Sequence, residues 1–133
     1  MKETAWRTSL IGALESRKDL FIRVNEVRAA RGFPDLTMIF KHPLLHPVAA
    51  FYELKVVVGS PKKLAPLFDP IQLVTLKRLQ HIGCRSMGLI RLENRAGICV
   101  AVAICDFLYG EERIVAAGDF WDRWRGQSAV TPL

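Results

Sequence analysis

The chain has 133 residues, half of them hydrophobic, with a net charge of +6 and a pI near 9.6. That length suits one domain, and that apolar content supports a packed core and excludes an intrinsically disordered chain. The positive balance favours a polyanionic partner such as nucleic acid. The longest apolar run, Ile98–Cys105, is too short to cross a bilayer and reads as a central buried strand. Met1-Lys2-Glu3-Thr4 leads into an amphipathic segment rather than an apolar secretory core, so a cytoplasmic location is expected. Cys84, Cys99 and Cys105 show no C-x-x-C pairing and no ligand spacing with His42, His46 or His81. They read as small buried hydrophobes of a reducing compartment, not as a zinc site.

In chain order, apolar residues at 6, 10, 13 and 14 predict a helix over residues 4–18, with Gly12 mildly unfavourable inside it. Leu20–Val24 reads as a strand, and Arg28-Ala29-Ala30-Arg31 as a loop or short helical turn. Gly32 and Pro34 form a turn that feeds a strand over 35–41, and a second strand spans 48–58. The connection between them, with His42 and His46, makes a hairpin. The Pro-rich stretch 59–69 reads as a flexible lid. A helix over 70–82 starts at Asp69 as N-cap, with Pro70 next and Gln72 completing a capping box, and stops at Gly83. Residues 85–91 form a strand, apolar strand character continues to Tyr109 and breaks at Gly110, and a short helix covers 119–125. The tail from Gly126 is expected to fray. Trp121 and Trp124, beside Arg123 and Arg125, fit aromatics pinning that last helix to the core, or alternatively stacking on bases.

Two segments carry chemistry. In Val48–Val58, strand alternation puts Glu53 and Lys55 on one face and Tyr52, Leu54 and Val56 on the other. Charges inside so apolar a strand each cost several kcal/mol (order of magnitude) to desolvate without partners. A strand-borne ion pair or a charged edge strand would account for them, and so would a bound cation beside the glutamate. Asp35, just after Pro34, sits at the mouth of the preceding strand, either as a turn-capping residue or as a second carboxylate converging on Glu53. Basic residues bracket these positions: Arg23, Arg28 and Arg31 before, Lys62 and Lys63 after, then Lys77, Arg78 and Arg85. Such clusters suit phosphate contacts, or an ordinary solvated surface.

Gly32-Phe33-Pro34-Asp35, Glu53-Leu54-Lys55 and the downstream Gln72 together resemble the PD-(D/E)xK nuclease superfamily. Within it they look most like the small VRR-NUC-type and Holliday-junction-resolvase-like nucleases common in phages. The likeness covers about residues 8–92, in the order helix, strand, G-x-P-D turn, apolar E-x-K strand and Gln-bearing helix. It implies a restriction-endonuclease-like α/β domain, a mixed central sheet flanked by helices, with a core over about 8–110. It also implies a metal-dependent endodeoxyribonuclease. Asp35, Glu53 and the Leu54 backbone carbonyl would hold Mg²⁺ or Mn²⁺, and Glu15 matches an extra acid that many members place near the metal. On an amphipathic helix, Glu15 equally suits solvent or an ion pair. Lys55 would orient or deprotonate the attacking water, and Gln72 matches the glutamine that opens the helix after the E-x-K strand. The products would carry 5′-phosphate and 3′-hydroxyl ends.

The small size favours structure-specific cutting of branches, flaps or junctions, and cutting two strands calls for a homodimer. The implied setting is the cytoplasm of a bacterial host, with a phage-encoded origin in keeping with the likeness. Two other readings stay open: a catalytically inactive nucleic-acid-binding module, and a phage protein-interaction subunit whose strand charges only blunt an edge.

Overall fold

Alternating apolar side chains give one sheet a packed core on each face. The structure, a computed structural model, describes residues 1–25 and 32–133. Its elements are α1 (Glu3–Gly12), β1 (Leu20–Val24), β2 (Leu36–Phe40), β3 (Val48–Val58), a 3-10 turn (Ala65–Leu67), α2 (Pro70–His81), β4 (Arg85–Glu93), β5 (Cys99–Asp106), β6 (Glu111–Ala116) and α3 (Ala117–Gly126). The six strands form one sheet in the order β1-β2-β3-β4-β5-β6. Neighbours run antiparallel except β3 and β4, which are parallel. A parallel pair needs a crossover, and residues 59–84 with α2 supply it. The fold is therefore α/β with a mixed sheet and helices on both faces.

On one face, Trp6, Leu10 and Leu14 pack with Leu36, Met38, Phe40, Tyr52, Leu54, Leu89, Val102 and Ile104, and α3 adds Phe120 and Trp124. The Trp124 indole donates to the Leu10 carbonyl at 2.9 Å, and its ring meets Tyr52 edge-on at 5.3 Å. Trp124 thus pins the terminal helix to the core, and Trp121 packs beside it under the Arg125 guanidinium. On the other face a smaller core joins Leu64 and Phe68 to Ile90, Leu92, Ala103 and Cys105, with Val57 and Leu73 against it.

Several expectations need correction. The first helix stops at Gly12 rather than 18, and residues 13–16 are turns. Residues 59–69 do not make a lid: the side chains of Leu64 and Phe68 are buried in the second core, and the 3-10 turn lies between them. The tail does not fray. Gln127, Ala129 and Leu133 are buried, the Tyr52 hydroxyl donates to Gln127 Oε1 at 2.8 Å, and Arg85 donates to the carbonyls of Ser128 and Ala129. The strand run breaks at the 107–110 turn as expected, but β6 then adds an edge strand beyond the expected core boundary. The apolar run at 98–105 is an interior strand, β5, while β3 and β4 hold the centre. No described helix is long and apolar enough to cross a membrane.

Candidate active site

The turn before β2 is fixed by its neighbours. Gly32 has φ of +83°, a region that favours glycine, and a Cβ there would overlap Ile71 at the start of α2. Pro34 is buried. Asn25 reaches across from the end of β1: its backbone N–H donates to the Asp35 carbonyl at 2.8 Å, and its side-chain amide donates to Pro34 O at 3.0 Å and Thr37 Oγ1 at 2.6 Å.

In the β2–β3 ladder Leu36 faces Tyr52 and Thr37 faces Phe51, so one further step sets Asp35 opposite Glu53. The side chain then turns in: Asp35 Oδ2 accepts the Leu54 backbone N–H at 2.9 Å. Asp35 is therefore bound to the E-x-K strand itself and is not a cap of its own turn.

Glu53 is only 3% exposed. Its Oε1 accepts from Gln72 Nε2 at 2.8 Å, and Gln72 Oε1 accepts the Asp69 backbone N–H at 3.0 Å. The capping box and the contact to the carboxylate are one arrangement, since the residue that closes the start of α2 also grips Glu53. Glu53 Oε2 is buried without a hydrogen-bond partner. Burial, followed by the charge of Asp35, pushes the Glu53 carboxyl up to about 9. Lys55 opposes that push, and Glu3 in the first turn of α1 adds to it. Lys55 lies on the same strand face, half-buried, opposite Ile90 of β4. Gly88 faces Glu53 across the parallel pair, where a Cβ would sit 2.6 Å from the Phe68 ring.

Two carboxyls this close, one with an orphaned buried oxygen, form a donor set suited to a hard divalent cation, which takes oxygen ligands and removes the like-charge repulsion. No cluster of three or more His, Cys, Asp or Glu side chains occurs among the described residues. Any remaining ligands would be backbone oxygen, solvent or a phosphate.

The other expected site residues are spread more widely. Glu15 lies past the end of α1 and is exposed, and the acid of this segment whose charge reaches Glu53 is Glu3. Arg23, Lys62, Lys63, Lys77 and Arg78 are exposed, while Arg28 and Arg31 lie outside the described residues. Arg85 holds the C-terminal segment and lies over the Phe40 ring at 5.8 Å. His42 Nδ1 accepts the backbone N–H groups of Leu44 and Leu45, which makes it a loop-forming residue. A surface hollow of about 410 Å³ along α2, lined by Lys77, Arg78, His81, Ile82 and Leu108, includes none of Asp35, Glu53 or Lys55. No protein-family model matches the chain, and no curated protein matches it.

Proposed function

We propose that the chain is a metal-dependent endonuclease of the PD-(D/E)xK kind, hydrolysing phosphodiester bonds in DNA, with a preference for branched, junction or flap structures. The observation that carries this reading is the buried Glu53 carboxyl, with one oxygen held by Gln72 and the other unpartnered, beside Asp35 and on the strand face that carries Lys55. A structural ion pair or edge-strand device does not need a second carboxylate at Glu53, which raises the cost of burying it.

Asp35, Glu53 and the Leu54 carbonyl would hold Mg²⁺ or Mn²⁺. Such an ion, when bound, polarises the phosphodiester and lowers the pKa of an attacking water. The chain's own residues do the rest. Gln72 fixes the Glu53 carboxylate, the Leu54 N–H fixes Asp35, and the Lys55 ammonium stabilises charge growing on the phosphate oxygens or orients the water. Water adds to phosphorus, the P–O3′ bond breaks, and the products carry a 5′-phosphate and a 3′-hydroxyl. The exposed Arg23, Lys62, Lys63, Lys77 and Arg78 and the net charge of +6 support a phosphate-rich substrate. Two such sites in a homodimer would cut both strands of a branched substrate.

The test is cleavage of supercoiled plasmid, a four-way junction and a flap with Mg²⁺ or Mn²⁺. Wild type is expected to nick, and Asp35→Ala, Glu53→Ala and Lys55→Ala each to lose at least about a hundredfold in rate, as expected for loss of one electrostatic catalytic group. Equal nicking by wild type and Lys55→Ala would overturn the assignment.

A further inference from the structure

Beside the carboxylates, no described helix covers the same sheet face over β1 and β2. α2 and the 3-10 turn cover it only over β3, β4 and β5: every strand residue of the second core comes from those three strands. On the half formed by β1, β2 and the start of β3, Phe21, Arg23 and Ile39 are exposed and Thr37, Ala49 and Phe51 are half-buried. Its side chains stand in cross-strand rows. Phe21, Ile39 and Ala49 make one row, and Arg23, Thr37 and Phe51 the next. One step further along lie Asp35 and Glu53. Ala49 and Glu53 are four residues apart on β3, so the first row stands about 13 Å from the carboxylates along the strand.

These rows have an unusual composition for a solvent-facing surface. Phe21 is 56% exposed and Ile39 40%, while their strand neighbours Leu20, Ile22, Met38 and Phe40 point into the main core. Phe33, 36% exposed in the turn before Asp35, meets the Phe51 ring edge-on at 5.6 Å. Neither row contains a carboxylate. Arg23 is exposed in the second row, and Lys41, exposed, follows Ile39 in the same alternation. Asp19, the nearest acid beyond the first row, is paired with Arg17.

We propose that this open half-face is a stacking platform for an unpaired nucleic-acid strand leading to the Asp35–Glu53 site, an inference that rests on the nuclease reading and narrows its substrate to DNA with a single-stranded segment. The physical basis is the pairing of π-faces with isolated cations. Contacts to a duplex backbone are polar and do not call for exposed aromatic rings, whereas bases freed from pairing stack on such rings with little regard to sequence. Protein partners fit less well. Phe21, Ile39 and Phe33 together offer roughly 300 Å² of apolar surface, below the ~450 Å² of apolar area within the ~800 Å² that each side of a standard interface buries.

Anisotropy of a fluorescein-labelled oligothymidylate of about 12 nucleotides, against a blunt duplex of the same length, tests this on the full chain in EDTA, where no turnover intervenes. The single strand is expected to bind more tightly than the duplex. Phe21→Ala should weaken single-strand binding about tenfold, the loss typical of one stacked base, without changing duplex affinity or the melting temperature, and Phe21→Trp should restore it. Arg23→Ala should weaken both forms and flatten the salt dependence. In Mg²⁺, Phe21→Ala should lose the preference for a flap over a nicked duplex. Unchanged oligothymidylate affinity in Phe21→Ala overturns the platform, as does a wild-type dimer that this substitution converts to monomers in light scattering. Single-strand binding through Phe21 without any metal-dependent cleavage would instead leave the platform standing and sink the nuclease reading.

Discussion

Glu53 is the residue on which the site turns, and its electrostatics make a directional prediction. Its carboxyl is raised from 4.5 to about 9, chiefly by burial and then by Asp35. The folded chain therefore holds a proton there that the unfolded chain releases above its lower pKa. Stability from this group is unaffected below about pH 4.5 and falls as pH rises from there to about 9. At pH 7 the cost is on the order of 3 kcal/mol. Glu53→Gln should raise the melting temperature of the metal-free protein at pH 7 and flatten its decline between pH 5 and about 9. A decline of equal slope in wild type and variant would refute the placement of that proton on Glu53. Gln72 has a dual role that a simpler substitution exposes. Gln72→Ala removes one arm of the α2 capping box and leaves both Glu53 oxygens without a side-chain donor. A loss of about 1–2 kcal/mol in chemical denaturation is expected.

The elements show why these side chains meet. β3 is apolar on both faces because it sits mid-sheet between two cores, and Glu53 and Lys55 are on the face that α2 covers only in part. The parallel β3–β4 pair brings Gly88 opposite Glu53, which leaves room for Phe68 and Phe107. Gly88→Val would drive a branched side chain into both rings, and should cost about 1–3 kcal/mol by overpacking, read as a lower urea midpoint. The C-terminal segment behaves as part of the fold. Arg85, Arg113 and Tyr52 each hydrogen-bond to residues 127–133, and Leu133 is buried. Deleting residues 127–133 should destabilise the chain by at least about 2 kcal/mol, through lost apolar burial and orphaned polar groups on Tyr52 and Arg85. A truncated chain with the parent melting temperature would show that the segment contributes nothing.

For the molecule as a whole, a cation that binds the native state must stabilise it. Mn²⁺ titrated at pH 8 should raise the melting temperature of wild type and not of Asp35→Ala, and the shift should shrink towards pH 6 as protons compete for Glu53. A Mn²⁺ shift that Asp35→Ala retains would place the ion elsewhere. Much of this architecture was legible in the linear chain. The apolar alternation of 48–58, the Asp69-Pro70-x-Gln72 helix start and the G-x-P-D turn each encode local structure, so β3, α2 and the mouth of β2 fall where the residues direct. The end of α1, the packing of 59–69, the β6 edge and the ordered tail were not legible, because each depends on partners distant in sequence: Leu64 and Phe68 are held by β4 and β5, and the tail by Tyr52, Arg85 and Arg113. The residue types and spacing alone determined which ionisable groups could form a site. Tertiary structure alone decided that Glu3 rather than Glu15 is the helix acid felt by Glu53, and that Phe21 and Ile39 stand exposed on the site's sheet face, because charge and exposure follow three-dimensional distance and not position along the chain.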